Sequence, residues 1–123
     1  MSKLKEEYSY SLDIYMDLIG GKWKLRILYH LSNGTKRFGE LKKLLGSITE
    51  KTLTQQLREL EQDKLIIRTV YNEVPPRVEY SMAEYCTDLL PIFKEICIWS
   101  IKYAKDNNIP VSYTHLTLPT KLE

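Results

Sequence analysis

Between two stretches of helical periodicity lies one β-rich interruption. It reads Leu65-Ile66-Ile67-Arg68-Thr69-Val70-Tyr71, then Val74-Pro75-Pro76-Arg77, then Val78-Glu79-Tyr80-Ser81-Met82. β-Branched and aromatic runs favour strands, and prolines confined to the link stiffen a turn, so the segment predicts one antiparallel hairpin with a rigid tip. Everything around it is helical, which makes the chain mainly α with a small β-hairpin.

Ahead of the hairpin, Leu12, Tyr15, Met16 and Ile19 recur at helical spacing and predict a helix over Ser11–Ile19, ended by Gly20-Gly21. Trp23, Ile27, Leu28 and Leu31 form the stripe of a second helix from about Lys22, with Asn33-Gly34 as its stop. Lys36–Phe38 is long enough only for an edge strand. Phe38, Leu41, Leu44 and Leu45 predict a short third helix closed by Gly46. A fourth starts near Thr49, which can cap it, although Ser47 and Glu50 also stand at capping-box spacing. Its apolar face is Leu53, Leu57 and Leu60, so the opposite face is Lys51, Gln55, Arg58, Glu59 and Gln62.

After the hairpin, Ser81 and Glu84 have capping-box spacing and open a long final helix to about Asp106, with Pro91 set to kink or divide it. From Cys86 to Ala104 the apolar residues of that helix, Ile98 aside, span an arc of about 200°, twice what one packing face needs. The excess predicts a second partner surface, and a copy of the same chain is the expected occupant. Residues 110–123 lack periodicity and are rich in Thr, Ser and Pro, and they resemble translated sequencing-adapter read-through. They are expected to be a disordered or non-native tail behind one domain over 1–109.

Composition narrows the class. With 123 residues, 43% hydrophobic and 28% charged, the chain suits one soluble globular domain. No apolar run reaches the roughly 18 residues of a membrane span, and no secretory signal is visible, so a cytoplasmic protein is expected. The net charge is only +2, yet Lys22–Lys64 holds ten basic and five acidic residues while the rest holds eight and eleven. Concentrated positive charge is the footprint of a polyanion-binding surface, although solvated helix faces would look the same.

The order of helices, short turn, basic helix and hairpin is that of a winged helix-turn-helix, in which one helix enters the major groove and the hairpin tip reaches the adjacent backbone or minor groove. Gln55 has the chemistry to read adenine by a bidentate pair, and Arg58 to pair with guanine or phosphate. Lys51, Thr52 and Thr54 suit phosphate near a helix N-terminus, and Arg77 suits the backbone from the tip. Ordering a positive charge on a proline-stiffened tip has little structural use, which favours a DNA role for Arg77. Trp23 is expected in the core.

Four blocks resemble the HxlR-type family of bacterial transcriptional regulators: Asp17-Leu18-Ile19-Gly20-Gly21-Lys22-Trp23, Arg37-Phe38-Gly39-Glu40-Leu41, Leu53-Thr54-Gln55-Gln56-Leu57-Arg58-Glu59-Leu60, and Val74-Pro75-Pro76-Arg77-Val78-Glu79-Tyr80. The resemblance covers about Leu12 to Ser100. It implies a homodimeric winged helix-turn-helix protein with extra N- and C-terminal dimerisation helices, binding double-stranded DNA at a pseudo-palindromic operator. Leu12, Phe93, Ile96, Trp99 and Ile101 are the expected dimer residues. Many members carry Cys-Pro-Val ahead of the first block, and in some that thiol senses oxidants. Here Tyr10-Ser11-Leu12 stands at that place, so carry-over of redox sensing is not expected.

Cys86 and Cys97 are the two cysteines. On one helix they would lie about 16 Å apart, beyond the roughly 7 Å a disulfide tolerates, and packing is their expected role. With His30 and His115 the only histidines, no metal or cofactor is implied. Nor is an enzyme, because Ser/His/Asp spacing, a phosphate loop and ligand clusters are all missing. An unidentified small-molecule effector is a candidate partner, with Tyr8, Tyr10, Tyr15 and Trp99 lining its pocket, but these residues more naturally pack a dimer. The rival reading is a winged-helix module that binds protein instead of DNA, which would not need the basic segment.

Overall fold

In the computed structural model, which describes residues 3–112, the order is α1 (Ser11–Ile19), α2 (Lys24–Leu31), α3 (Phe38–Leu45), α4 (Glu50–Gln62), β1 (Ile66–Tyr71), β2 (Arg77–Met82), α5 (Glu84–Thr87) and α6 (Leu90–Asp106). The expected tail begins without regular structure at 110–112 and otherwise lies outside the described residues, as does His115.

One face of each central helix enters a single core. Ile27, Leu28 and Leu31 of α2 meet Leu41 and Leu45 of α3, Leu53, Leu57 and Leu60 of α4, and Leu65, Ile66 and Tyr80 of the hairpin. These are the stripes that the 3.6-residue spacing requires. The hairpin is antiparallel, with Ile66 opposite Met82 and Tyr71 opposite Arg77. The expected edge strand is a single bridge, where Lys36 and Tyr80 exchange both backbone hydrogen bonds at 3.0 and 2.8 Å. That bridge ties the start of α3 to the middle of the wing.

Boundaries move where local geometry competes with pattern. Gly21 takes a φ of +101°, a region open to glycine, and the chain bends over residues 21–23, so α2 begins at Lys24 and not near Lys22. Ser81 does not cap the last helix, because pairing with Ile67 holds it in β2, and Ala83 stands at the helix start instead. Pro91 divides that helix and leaves no kink: it sits in the first turn of α6, where a missing N–H costs nothing. The terminal helices give the core little. Ile19 is the buried residue of α1, and Phe93 and Ala104 those of α6.

Candidate nucleic-acid interface

The turn between α3 and α4 is built by three residues. Gly46 has a φ of +74°, a left-handed setting that closes α3. Ile48 is buried and pins the turn to the core. Thr49 caps α4, its Oγ1 accepting from the Thr52 N–H at 3.1 Å and donating to the Thr52 hydroxyl at 2.9 Å. Ser47 plays no capping part.

From that start the helix presents two opposed faces. Leu53, Leu57 and Leu60 are all in the core. Lys51, Gln55 and Arg58 stand exposed on the other side, and Thr52 and Thr54 are half-buried beside them. All of the α4 residues expected to touch DNA are therefore on one helix whose orientation the core fixes.

Glu59 departs from the expected pattern. Instead of joining the solvent face it leans inward, and its Oε1 lies 2.6 Å from the Nζ of Lys24 on α2. The Lys24 side chain is only 4% exposed. The other carboxylate oxygen of Glu59 accepts from the Gln55 amide at 2.8 Å. Burial pushes the Glu59 carboxyl up, but hydrogen bonds from Gln55 and Lys24, with the charge of Lys24, hold it below its ordinary 4.5. Sequence reasoning missed this trio. A separation of 35 positions between Lys24 and Glu59 carries no local signal, and only a buried lysine, which needs a partner, could have prompted the search.

At the wing tip the expectation for Arg77 needs correcting. Its guanidinium lies 4.0 Å above the centre of the Tyr71 ring, its directly opposite residue in the hairpin. A carboxylate oxygen of Glu73 lies 3.2 Å from Nη2 and one of Glu79 lies 3.6 Å from Nε. The charge thus has a structural use, clasping the two ends of the tip by a cation–π contact and two carboxylates. The Val74–Pro75 bond within the tip is cis.

The terminal helices carry large apolar side chains on their surfaces. Leu12 is 67% exposed on α1, with Met16 nearby, and on α6 Trp99 is 63% exposed, with Ile92, Ile96, Ile98 and Tyr103 also exposed. Trp99 stacks on Tyr103 with ring centres 5.4 Å apart. Ile101 is half-buried. Phe93 corrects the expected set: it is 7% exposed and belongs to the protomer's own core, because it falls on the single inward-facing row of α6. Tyr8, expected to pack a dimer or, less naturally, to line an effector pocket, ties the N-terminal segment to α1, donating to Asp17 at 2.7 Å and accepting from the Lys5 N–H at 2.9 Å. Cys86 on α5 is buried and Cys97 on α6 is half-buried, both as free thiols. Burial raises both, Cys86 to about 11. Among the described residues no group of three or more His, Cys, Asp or Glu is placed to hold a metal ion, and no helix is long and apolar enough to cross a membrane.

Comparison with known proteins is consistent with this geometry. The model of the HxlR-like helix-turn-helix family matches residues 18–108. The HTH-type transcriptional regulator YtcD of Bacillus subtilis is 50% identical over 99 residues, spanning 80% of this chain and 79% of the relative. A crystal structure of an HTH-type transcriptional regulator YtcD superposes with a TM-score of 0.76 at 48% identity, covering 78% of this chain and 98% of that one. The oxidized form of the redox regulator HypR superposes at 0.72 with 44% identity, over 76% and 96% of the two chains.

Proposed function

This chain belongs to the HxlR-like helix-turn-helix family, a DNA-binding transcriptional regulator and not an enzyme, and on that premise we propose that it binds a pseudo-palindromic operator as a homodimer. The observation that carries the reading is the two-faced α4. Its apolar side is spent on the core, while Lys51, Gln55 and Arg58 stand together in solvent. In this reading Gln55 and Arg58 meet base edges, Lys51, Thr52 and Thr54 meet phosphates, and α4 lies in the major groove. Arg77 contacts the backbone from the wing by exchanging a glutamate for a phosphate, so its truncation also loosens the tip.

The exposed rows of α1 and α6 support self-association. Leu12, Ile96 and Trp99, with half-buried Ile101, are the surface residues assigned to that interface. Two-fold symmetry then presents two α4 helices at half-sites about one or two helical turns apart. Selection of bound sequences from random duplex tests the whole reading. Enrichment of inverted half-sites at fixed spacing is expected, and enrichment of single unpaired sites, or of none, contradicts it.

A redox relative does not make this chain a thiol sensor. Tyr10, at the N-cap of α1, is where the family's sensing cysteine would stand, and Cys86 and Cys97 are raised by burial, which leaves little thiolate to react. Mild diamide should therefore leave the DNA affinity of the wild-type chain unchanged in a gel-shift titration. Loss of binding that disappears in the Cys86→Ala/Cys97→Ser variant would establish a relocated switch.

A further inference from the structure

We propose that the ion pair between buried Lys24 and half-buried Glu59 is a positioning device that fixes the side-chain amide of Gln55 for adenine readout. The inference rests on the reading that the outer face of α4 meets DNA. An i,i+4 side-chain pair on an exposed helix shifts rotamer populations by only about 1.4- to 2.3-fold, which would leave a glutamine mobile. Here the acceptor is itself immobilised. Glu59 is anchored through its other oxygen to Lys24 at 2.6 Å, and Lys24 projects from a second helix into the protein. The chain of contacts therefore runs from α2 through the carboxylate to the Gln55 amide.

Stability does not account for the arrangement. A buried ion pair is commonly replaced by apolar side chains without loss, because desolvation consumes the attraction. What the pair adds is direction. One N–H of Gln55 is committed to Glu59 at 2.8 Å, and the second N–H, with the carbonyl oxygen, remains for a base edge. A donor and an acceptor side by side match N7 and the N6 amino group of adenine. Lys24 and Glu59 touch no base and act through Gln55, so both are positioning residues.

The test compares wild type, Gln55→Ala and Lys24→Met/Glu59→Leu, with Glu59→Gln as the variant of the same shape should the double change fail to fold. In Glu59→Gln the one carbonyl is claimed by Lys24, and an amide donor faces the Gln55 donor. The readout is the affinity ratio between the preferred duplex and one with its adenine pair replaced. It is accompanied by the amide resonances of Gln55 in the free protein. Gln55→Ala should lose the discrimination. The pair variant should lower it about 2- to 10-fold, the cost of ordering one free side chain, and should move the Gln55 amide signals to those of a solvated glutamine. Full discrimination or unmoved signals in the pair variant, alongside loss in Gln55→Ala, overturns the positioning role and leaves base reading intact. Discrimination that survives Gln55→Ala removes the readout itself, and the inference falls with it.

Discussion

Leu53→Ala is expected to cost the fold about 2–5 kcal/mol, the range for removing a leucine from a packed core. Leu53 is 0% exposed and sits in the first turns of α4, in one cluster with Ile48, Leu28 and Leu41. Against a typical total of 5–15 kcal/mol, such a loss is a large part of the stability. On the opposite face, Gln55→Ala should change stability by no more than about 0.5 kcal/mol. Urea unfolding of the two variants checks the partition. Equal costs would mean that α4 is not oriented as described.

Trp99→Glu is expected to abolish dimerisation and with it tight operator binding. Linking two half-site contacts through one dimer raises avidity by about 10²–10⁴-fold over a single contact, and that factor is what a monomer forfeits. Light scattering should give about twice 14.5 kDa for wild type and a single chain mass for the variant. Because Trp99 is 63% exposed in the protomer, its replacement should leave the melting transition of the fold largely in place. Phe93→Glu makes the contrast, since Phe93 fills the protomer's own core and its loss should unfold the chain. A wild-type monomer at micromolar concentration would defeat the interface assignment.

These outcomes also measure what the sequence could convey. The helix-turn-helix and the wing were legible because each rests on local chemistry: Thr49 caps, Gly46 takes a left-handed φ, and β-branched and aromatic runs flank the proline-stiffened link between Tyr71 and Arg77. The polar face of α4 followed from 100° per residue, and Lys51, Gln55 and Arg58 are exposed as that geometry demands. What escaped depends on elements distant in the chain or on register. Glu59 looked solvated until α2 brought Lys24 beneath it. Arg77 looked unpartnered because only the hairpin register sets Tyr71 against it and its two glutamates beside it. Ser81 fitted a capping box in sequence but was already paired in the sheet. Phe93 belonged to a wide apolar arc whose inward row no periodicity could single out.

The central claim, that the outer face of α4 reads bases, is tested most directly by titrating Gln55→Ala and Arg58→Ala against preferred and scrambled duplex at two salt concentrations. Each variant should lose about 1–3 kcal/mol on the preferred site and little on the scrambled one, with relaxed preference at one base step. Arg77→Ala, measured beside them, should weaken both duplexes alike and lower the salt slope by about one. Equal losses on the two duplexes for Gln55→Ala and Arg58→Ala would reduce the helix to a phosphate clamp. No loss on either would mean that this face does not meet DNA.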